Sequence, residues 1–139
     1  MAVVVFDADV LIGFLARDDV HHREAVERLR SSLEAGTRRF LSAVNYAELL
    51  VGPLRAGGAS MAEIVDAMLA RFSVENVPVD RELARRAASV RAQTNLKLPD
   101  TFAVATAVDA QGRGYDDVRI ESFDEDVLRA YEQAGLSAT

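Results

Sequence analysis

The chain has 139 residues, half of them hydrophobic, a net charge of −6 and no cysteine. That length suits one domain with a sizeable core, and the composition argues against disorder, a membrane-spanning helix of about 18 apolar residues or more, disulfides, thiol catalysis and Cys-ligated zinc. No basic segment at the N-terminus suggests a signal peptide, the acidic balance speaks against a nucleic-acid binder working by bulk positive charge, and a cytoplasmic location is expected.

Val3–Val4–Val5–Phe6 is an apolar, mostly β-branched run and reads as a strand buried on both faces. It leads straight into Asp7 and Asp9. In open parallel α/β sheets the ends of such strands are where ligands bind. One of these acids caps the helix expected over Val10–Leu15; two acids flanking one small residue exceed what a cap needs. Arg17–Asp18–Asp19 is a break. An amphipathic helix follows from Val20 to Ala35, with Ala25, Leu29 and Leu33 inward and Gly36 as its stop. His21 and His22 are neighbours, so a helix points them about 100° apart. They read as solvated residues of the helix start rather than a metal face.

Arg39–Ser42 reads as a second strand, with Ser42 capping a helix over Ala43–Arg55. Val44, Ala47, Val51 and Leu54 form its expected apolar stripe, and Glu48 falls on that stripe. A carboxylate there needs a partner, either an arginine or a cation. Gly57–Gly58–Ala59 breaks the chain before a strongly periodic helix, Met61, Ile64, Val65, Met68, Leu69 and Phe72, which carries structure rather than chemistry. Val74–Val79 is a third strand. Asp80 caps a helix over Arg81–Thr94 with Leu83, Ala87 and Val90 inward; Arg81, Arg85 and Arg91 outside are a solvated face or a phosphate-contacting rim.

Pro99 opens a helix that is nearly all small or apolar from Thr101 to Val108, with Asp100 in its first turn near the positive end of the dipole. Gln111–Asp117 is a polar loop. Val118–Phe123 is the last strand, ending at Asp124–Glu125–Asp126, where a final helix, Val127–Ala134, begins. The order of elements makes the fold α/β, with a mostly parallel sheet of about four strands.

Asp7, Glu48, Asp100 and Asp124 thus share one kind of address, at strand ends or on the inner side of helices. Parallel crossovers gather strand ends on one edge. Carboxylates brought together repel, and a hard divalent cation, Mg²⁺ or Mn²⁺, relieves this. Such ions activate water and stabilise the leaving oxygen of a phosphodiester displacement.

Val5–Phe6–Asp7–Ala8–Asp9–Val10–Leu11–Ile12, the Ser42–Arg55 segment with Ala47–Glu48–Leu49, Leu98–Pro99–Asp100 through Ala107, and Ser122–Phe123–Asp124–Glu125–Asp126 together resemble the PIN-domain ribonucleases, of the kind found as VapC toxins of VapBC toxin–antitoxin pairs. The resemblance spans nearly the whole chain. It implies a three-layer α/β/α fold and a Mg²⁺- or Mn²⁺-dependent hydrolase of RNA, with Asp7, Glu48, Asp100 and Asp124 as metal ligands. It also implies a separate VapB-like antitoxin that places a basic side chain in the acidic site, and a homodimer for which the Met61–Phe72 helix is one face. The sequence departs from the pattern in two places. Position 9 usually carries Ser, Thr or Asn, and Asp9 adds a charge and a further candidate ligand. The segment from Asp100 to Asp124 is long, which leaves Asp126 or Asp117 as alternatives for the fourth acid.

Two other functions compete. In a haloacid-dehalogenase-type phosphatase, Asp7 and Asp9 would be nucleophile and acid, with Ser42, Lys97 and Asp116–Asp117 in later motifs. Glu48 and Asp100 would then be idle. A non-catalytic PIN-like module would bind RNA or a partner through its arginine rims.

Overall fold

The computed structural model describes residues 1–138, with side chains described as far as Gly135. Strand β1 (Ala2–Phe6) lies at the heart of the sheet because its residues suit burial on both sides. Val3, Val4, Val5 and Phe6 are at most 1% exposed. Burying each contributes roughly 1.5–3 kcal/mol. β1 pairs on one side with β2 (Thr37–Ser42), Val5 opposite Phe40, and on the other with β4 (Asp117–Glu121), Phe6 opposite Glu121. β2 also pairs with β3 (Val74–Val77). The strand order is β3-β2-β1-β4, and every pairing is parallel.

Six helices among the described residues cover the two faces: α1 (Ala8–Leu15), α2 (His22–Ser31), α3 (Ala43–Arg71), α4 (Arg81–Gln93), α5 (Leu98–Gly112) and α6 (Glu125–Ala138). Side chains alternate along a strand. Val4 and Phe6 therefore meet Val10, Leu11, Leu29, Leu49 and Val65 of α1–α3, while Val3 and Val5 meet Val90, Ala103, Val104, Ala107 and Val127 of α4–α6. The result is the expected α/β/α sandwich, all-parallel rather than mostly so. No helix among the described residues is long and apolar enough to cross a membrane.

Several local expectations are corrected. α1 starts at Ala8 rather than Val10, because Asp7 itself is the cap. α2 ends near Ser32, well before Gly36. The Ser32 hydroxyl donates to the Leu29 carbonyl and Arg39 Nη1 donates to the Ser32 carbonyl, so the last turn is closed off; Leu33 is left exposed. The expected break at Gly57–Gly58 is present and divides α3 into two helical halves; there Gly58 takes a φ of 64° and ψ of −148°, a conformation open only to glycine. Its first half does not bury the Val44–Leu54 stripe. Asn45 and Leu49 face inward, and Val51 and Leu54 are exposed. The face of α3 toward the protein carries Leu49, with Tyr46 and Leu50 packed against the same core cluster, and the buried, hydrogen-bonded Asn45. α4 buries Leu83, Ala87 and Val90 as expected, and α5 is buried continuously from Thr101 to Val108.

Candidate active site

The parallel arrangement brings the carboxyl ends of β1, β2 and β4 to one edge. Asp7 follows β1 immediately, and its backbone N–H donates to the Glu121 carbonyl at 2.9 Å, carrying the ladder one residue past the strand. Its side chain is 3% exposed. Oδ1 accepts from the Ala8 N–H at 2.8 Å as the helix cap, and Oδ2 accepts from the Ser122 hydroxyl at 2.9 Å. The helix cap and a place in the acidic cluster thus fall on one residue. Burial, then the charge of Asp9 and, more weakly, of Asp100, push the Asp7 carboxyl up to about 7, against the opposing effect of the Ser122 hydrogen bond.

Glu48 reaches the same edge from the first half of α3. Ser42 caps that helix by accepting from the Asn45 N–H at 3.1 Å, and its hydroxyl donates back to Asn45 Oδ1 at 2.8 Å. The fully buried Asn45 then donates from Nδ2 to Glu48 Oε1 at 3.1 Å and to the Pro99 carbonyl at 3.0 Å. One amide therefore ties β2, α3 and the start of α5 together. Asp100, in the first turn of α5, lies beside Glu48 as a result. Its carboxyl is raised by burial, then by Glu48, Asp124 and Asp9, with Lys97 offsetting part. Asp7, Glu48 and Asp100 each offer a carboxylate oxygen, and these lie within 4.8 Å of one another. Their number, hardness and mutual repulsion fit a divalent cation such as Mg²⁺.

Asp124 stands outside that triple. Its charge acts on Asp9 and Asp100, its N–H donates to the Ser122 hydroxyl at 3.0 Å, and its Oδ1 accepts from the Asp126 N–H at the start of α6. Asp126 is exposed and paired with Arg129 at 2.9 Å. Asp117 begins β4 opposite Ala2, at the far end of the sheet. Asp9 packs between: Oδ2 accepts from the Phe123 N–H at 2.9 Å and more distantly from Ser122, whereas Oδ1 is buried with no partner. Burial is the main cause that raises the Asp9 carboxyl.

Sequence reasoning missed two supports. Asn45 was overlooked because a polar residue between apolar ones reads as surface. Arg28 of α2 donates to the Ser122 carbonyl at 2.9 Å and to Glu121 at 3.2 Å, with its guanidinium 4.8 Å over the Phe123 ring. The histidines stand at the start of α2 as expected, His21 exposed and His22 half-buried. His21 stacks on Phe123 at 4.9 Å, and His22 Nδ1 lies 2.9 Å from the Gly13 carbonyl, so Nδ1 carries the proton.

A three-layer α/β/α protein with an acidic centre at the carboxyl edge of its parallel sheet is the class defined by this arrangement. The PIN domain family description matches residues 4–133, and the chain belongs to that family. Among solved structures it is similar to VapC20 of Mycobacterium tuberculosis, described as a sarcin–ricin loop cleaving toxin, at 17% identity over 95% of both chains with a TM-score of 0.66. It is similar to VapBC-1 of nontypeable Haemophilus influenzae at 12% identity over 96% of this chain and 94% of that one, TM-score 0.67. A toxin–antitoxin complex from Klebsiella pneumoniae matches at 22% identity over 88% of both chains, TM-score 0.65. No curated protein matches.

Proposed function

We propose that this chain is a Mg²⁺- or Mn²⁺-dependent ribonuclease and the toxin member of a toxin–antitoxin pair. The observation that carries the reading is the convergence of Asp7, Glu48 and Asp100 within 4.8 Å on three different elements. Membership of the PIN family and the toxin descriptions of the solved relatives support it.

In this reading Asp7, Glu48 and Asp100 hold the cation, with Asp124 as the fourth acid at the rim and Asp9 adding charge behind Asp7. When bound, the cation supplies Lewis acidity toward the phosphodiester and lowers the pKa of water. The chain's own residues fix the geometry. Ser122 and the Ala8 N–H hold both oxygens of Asp7, Asn45 holds one oxygen of Glu48, and Asp100 stands more open toward the substrate. The phosphatase reading is less well supported. Its candidate Asp116 pairs with the terminal ammonium of Met1, Asp117 opens β4 at the opposite end of the sheet, and Ser42 is engaged with Asn45. A VapB-like antitoxin, a cytoplasmic location, a single domain and a homodimer belong to the same proposal. The inner residues of the Met61–Phe72 segment, Val65, Met68 and Leu69, are spent on the core, which leaves Val51, Leu54 and Ile64 as the exposed apolar positions of α3 for a partner copy.

The test is RNA cleavage by the purified chain, free of antitoxin, with Mg²⁺ or Mn²⁺ and with EDTA. An Asp7→Asn, Asp100→Asn double variant purified alongside controls for contaminating nuclease. Metal-dependent cleavage lost in the variant supports the reading. Hydrolysis of a small phosphate monoester without RNA cleavage would replace it with the phosphatase, and neither activity would favour the binding module.

A further inference from the structure

Two adjoining hollows, of about 290 and 280 Å³, form one groove between α4, the 94–96 connection and α6. They share Gln93, Thr94, Ala130 and Gln133, and the outer one reaches Asn95, Leu96 and Asp126. Asp126 at the outer end donates its N–H to Asp124 Oδ1 at 2.9 Å, and the charge of Asp124 acts on Asp100, so the outer end of the groove adjoins the rim of the acidic centre. The walls carry amides and hydroxyls, with alanines and two valines between them, and the outer hollow also carries Asp126, whose charge is met by Arg129 at 2.9 Å. Arg86 lines the inner hollow. Its Nε is buried and finds no hydrogen-bond partner, and among the described residues no carboxylate pairs with it. A buried guanidinium N–H without an acceptor is costly in an isolated protein. Only Nε of this guanidinium is buried, so its outer nitrogens are the donors that an oxyanion of an incoming ligand would meet. The arginines singled out in the sequence, Arg81, Arg85 and Arg91, lie on the exposed face of the same helix.

We infer that this groove is the track of single-stranded RNA leaving the acidic centre, with Arg86 holding a backbone phosphate and the amides of Gln93 and Asn95 meeting ribose or base edges. The inference rests on the ribonuclease reading and deepens it. A negatively charged chain with an acidic centre repels RNA at long range, so local cationic and hydrogen-bonding contacts are required to seat it. A protein partner is less well matched, because the groove offers few large apolar residues to anchor one.

The test uses the full chain in EDTA, where cleavage is silent, and a fluorescently labelled random-sequence single-stranded oligoribonucleotide read by anisotropy across a salt series. Arg86→Gln is expected to weaken binding several-fold and to reduce the slope of log affinity against log salt by about 0.7, one phosphate contact on a single strand. Arg86→Lys keeps the charge and most of the slope. Arg30→Gln, an equal change of charge on α2, leaves the slope as it is. Gln93→Glu, which places a carboxylate in the groove at an exposed position, weakens binding without touching Arg86. Unchanged binding in both Arg86→Gln and Gln93→Glu, or an equal loss in Arg30→Gln, overturns the inference. If Arg86→Gln instead weakens a co-purified antitoxin and not RNA, the groove is a protein interface and the inference is also overturned. Metal-dependent RNA cleavage with an Arg86-independent slope would sink the groove alone. Arg86-dependent binding with no cleavage in Mg²⁺ or Mn²⁺ would sink the nuclease reading alone, and absence of both binding and cleavage would sink both.

Discussion

Arg28 Nη1 donates to the carbonyl oxygen of Ser122 at 2.9 Å, across 94 positions of chain. The same Ser122 sends its hydroxyl to Asp7 and accepts from the Asp124 N–H. A guanidinium on α2 thus fixes the residue that orients two acids of the site without touching either. Arg28→Ala should lower stability by about 1–3 kcal/mol, since it leaves a partly buried carbonyl and Glu121 short of a donor. It should lower kcat for RNA with little change in KM. Arg28→Lys should recover little, because one ammonium cannot reach both acceptors and lie flat on Phe123. Urea unfolding and steady-state cleavage measure both effects. Full activity in a destabilised Arg28→Ala protein would reduce the contact to a structural one.

Asp7 carries the clearest pH signature. Its carboxyl rises from an ordinary value near 3.8 to about 7 in the folded, metal-free protein. The folded state then holds a proton that the unfolded chain has already released between those values, so stability falls as pH rises from about 4 to about 7. Asp9 and Asp100 are raised as well and act in the same direction. Asp7→Asn keeps an N-cap acceptor and removes the titration. In EDTA the variant should match wild type near pH 4 and exceed it at pH 8 by up to a few kcal/mol. Added Mg²⁺ should narrow the gap by stabilising only the wild type. Equal melting temperatures at pH 8 in EDTA would show that Asp7 is not under this strain.

Much of this geometry is legible in the sequence because it is local. The Val3–Phe6 run announces a central strand, Asp7 follows it directly, and the small-residue run after Asp100 marks a helix pressed on the sheet. The break at Gly57–Gly58 and the inner face of α4 are visible for the same reason. Other features depend on contacts between distant segments. Nothing near Arg28 indicates that it meets Ser122, and nothing near Asn45 indicates that its amide will bridge Glu48 and Pro99. The apolar line Val44–Ala47–Val51–Leu54 misleads about α3, since a second apolar line through Tyr46, Leu49 and Leu50 packs on the core instead, with the amide of Asn45 buried beside it. Leu33 misleads in a similar way, because Ser32 and Arg39 end α2 before it. That Asp117 lies at the opposite end of the sheet follows from the register of β4, and that Asp126 is exposed and paired with Arg129 follows from the start of α6; neither is visible in the sequence.

Asp9 stands where the family pattern carries a small polar residue, and its charge is the second-largest contribution, after burial, to the raised Asp7 carboxyl. Asp9→Asn keeps an acceptor for the Phe123 N–H and removes that charge. The pH at which the metal-free protein loses stability through Asp7 should shift downward, toward the ordinary carboxylate range. Melting temperature against pH in EDTA reads this directly. Calorimetric titration with Mn²⁺ then tells whether Asp9 also contributes to cation affinity, which a weakened Asp9→Asn isotherm would demonstrate. An unmoved pH midpoint would mean that the field of Asp9 does not reach Asp7.

Asn45 gives the sharpest contrast between two single changes. Its amide donates to Glu48 and to the Pro99 carbonyl while accepting from Ser42, all in a fully buried position. Asn45→Ala leaves those groups unpaired, which should cost about 1–3 kcal/mol, and lets Glu48 and Asp100 drift apart. Asn45→Asp has nearly the same volume but loses both donors and sets a carboxylate against Glu48. Burial and that neighbour both raise the introduced carboxyl, so the folded state favours its protonated form, which can again donate one hydrogen bond. Stability of Asn45→Asp should therefore be highest at acid pH and fall as pH rises through neutrality, more steeply than in Asn45→Ala. Both variants should lose most RNA cleavage at neutral pH, since each frees a site carboxylate from its support. Denaturation curves at pH 5 and pH 8 distinguish them. Parallel behaviour of the two across that range would mean that the amide at position 45 fills space without holding Glu48 in place.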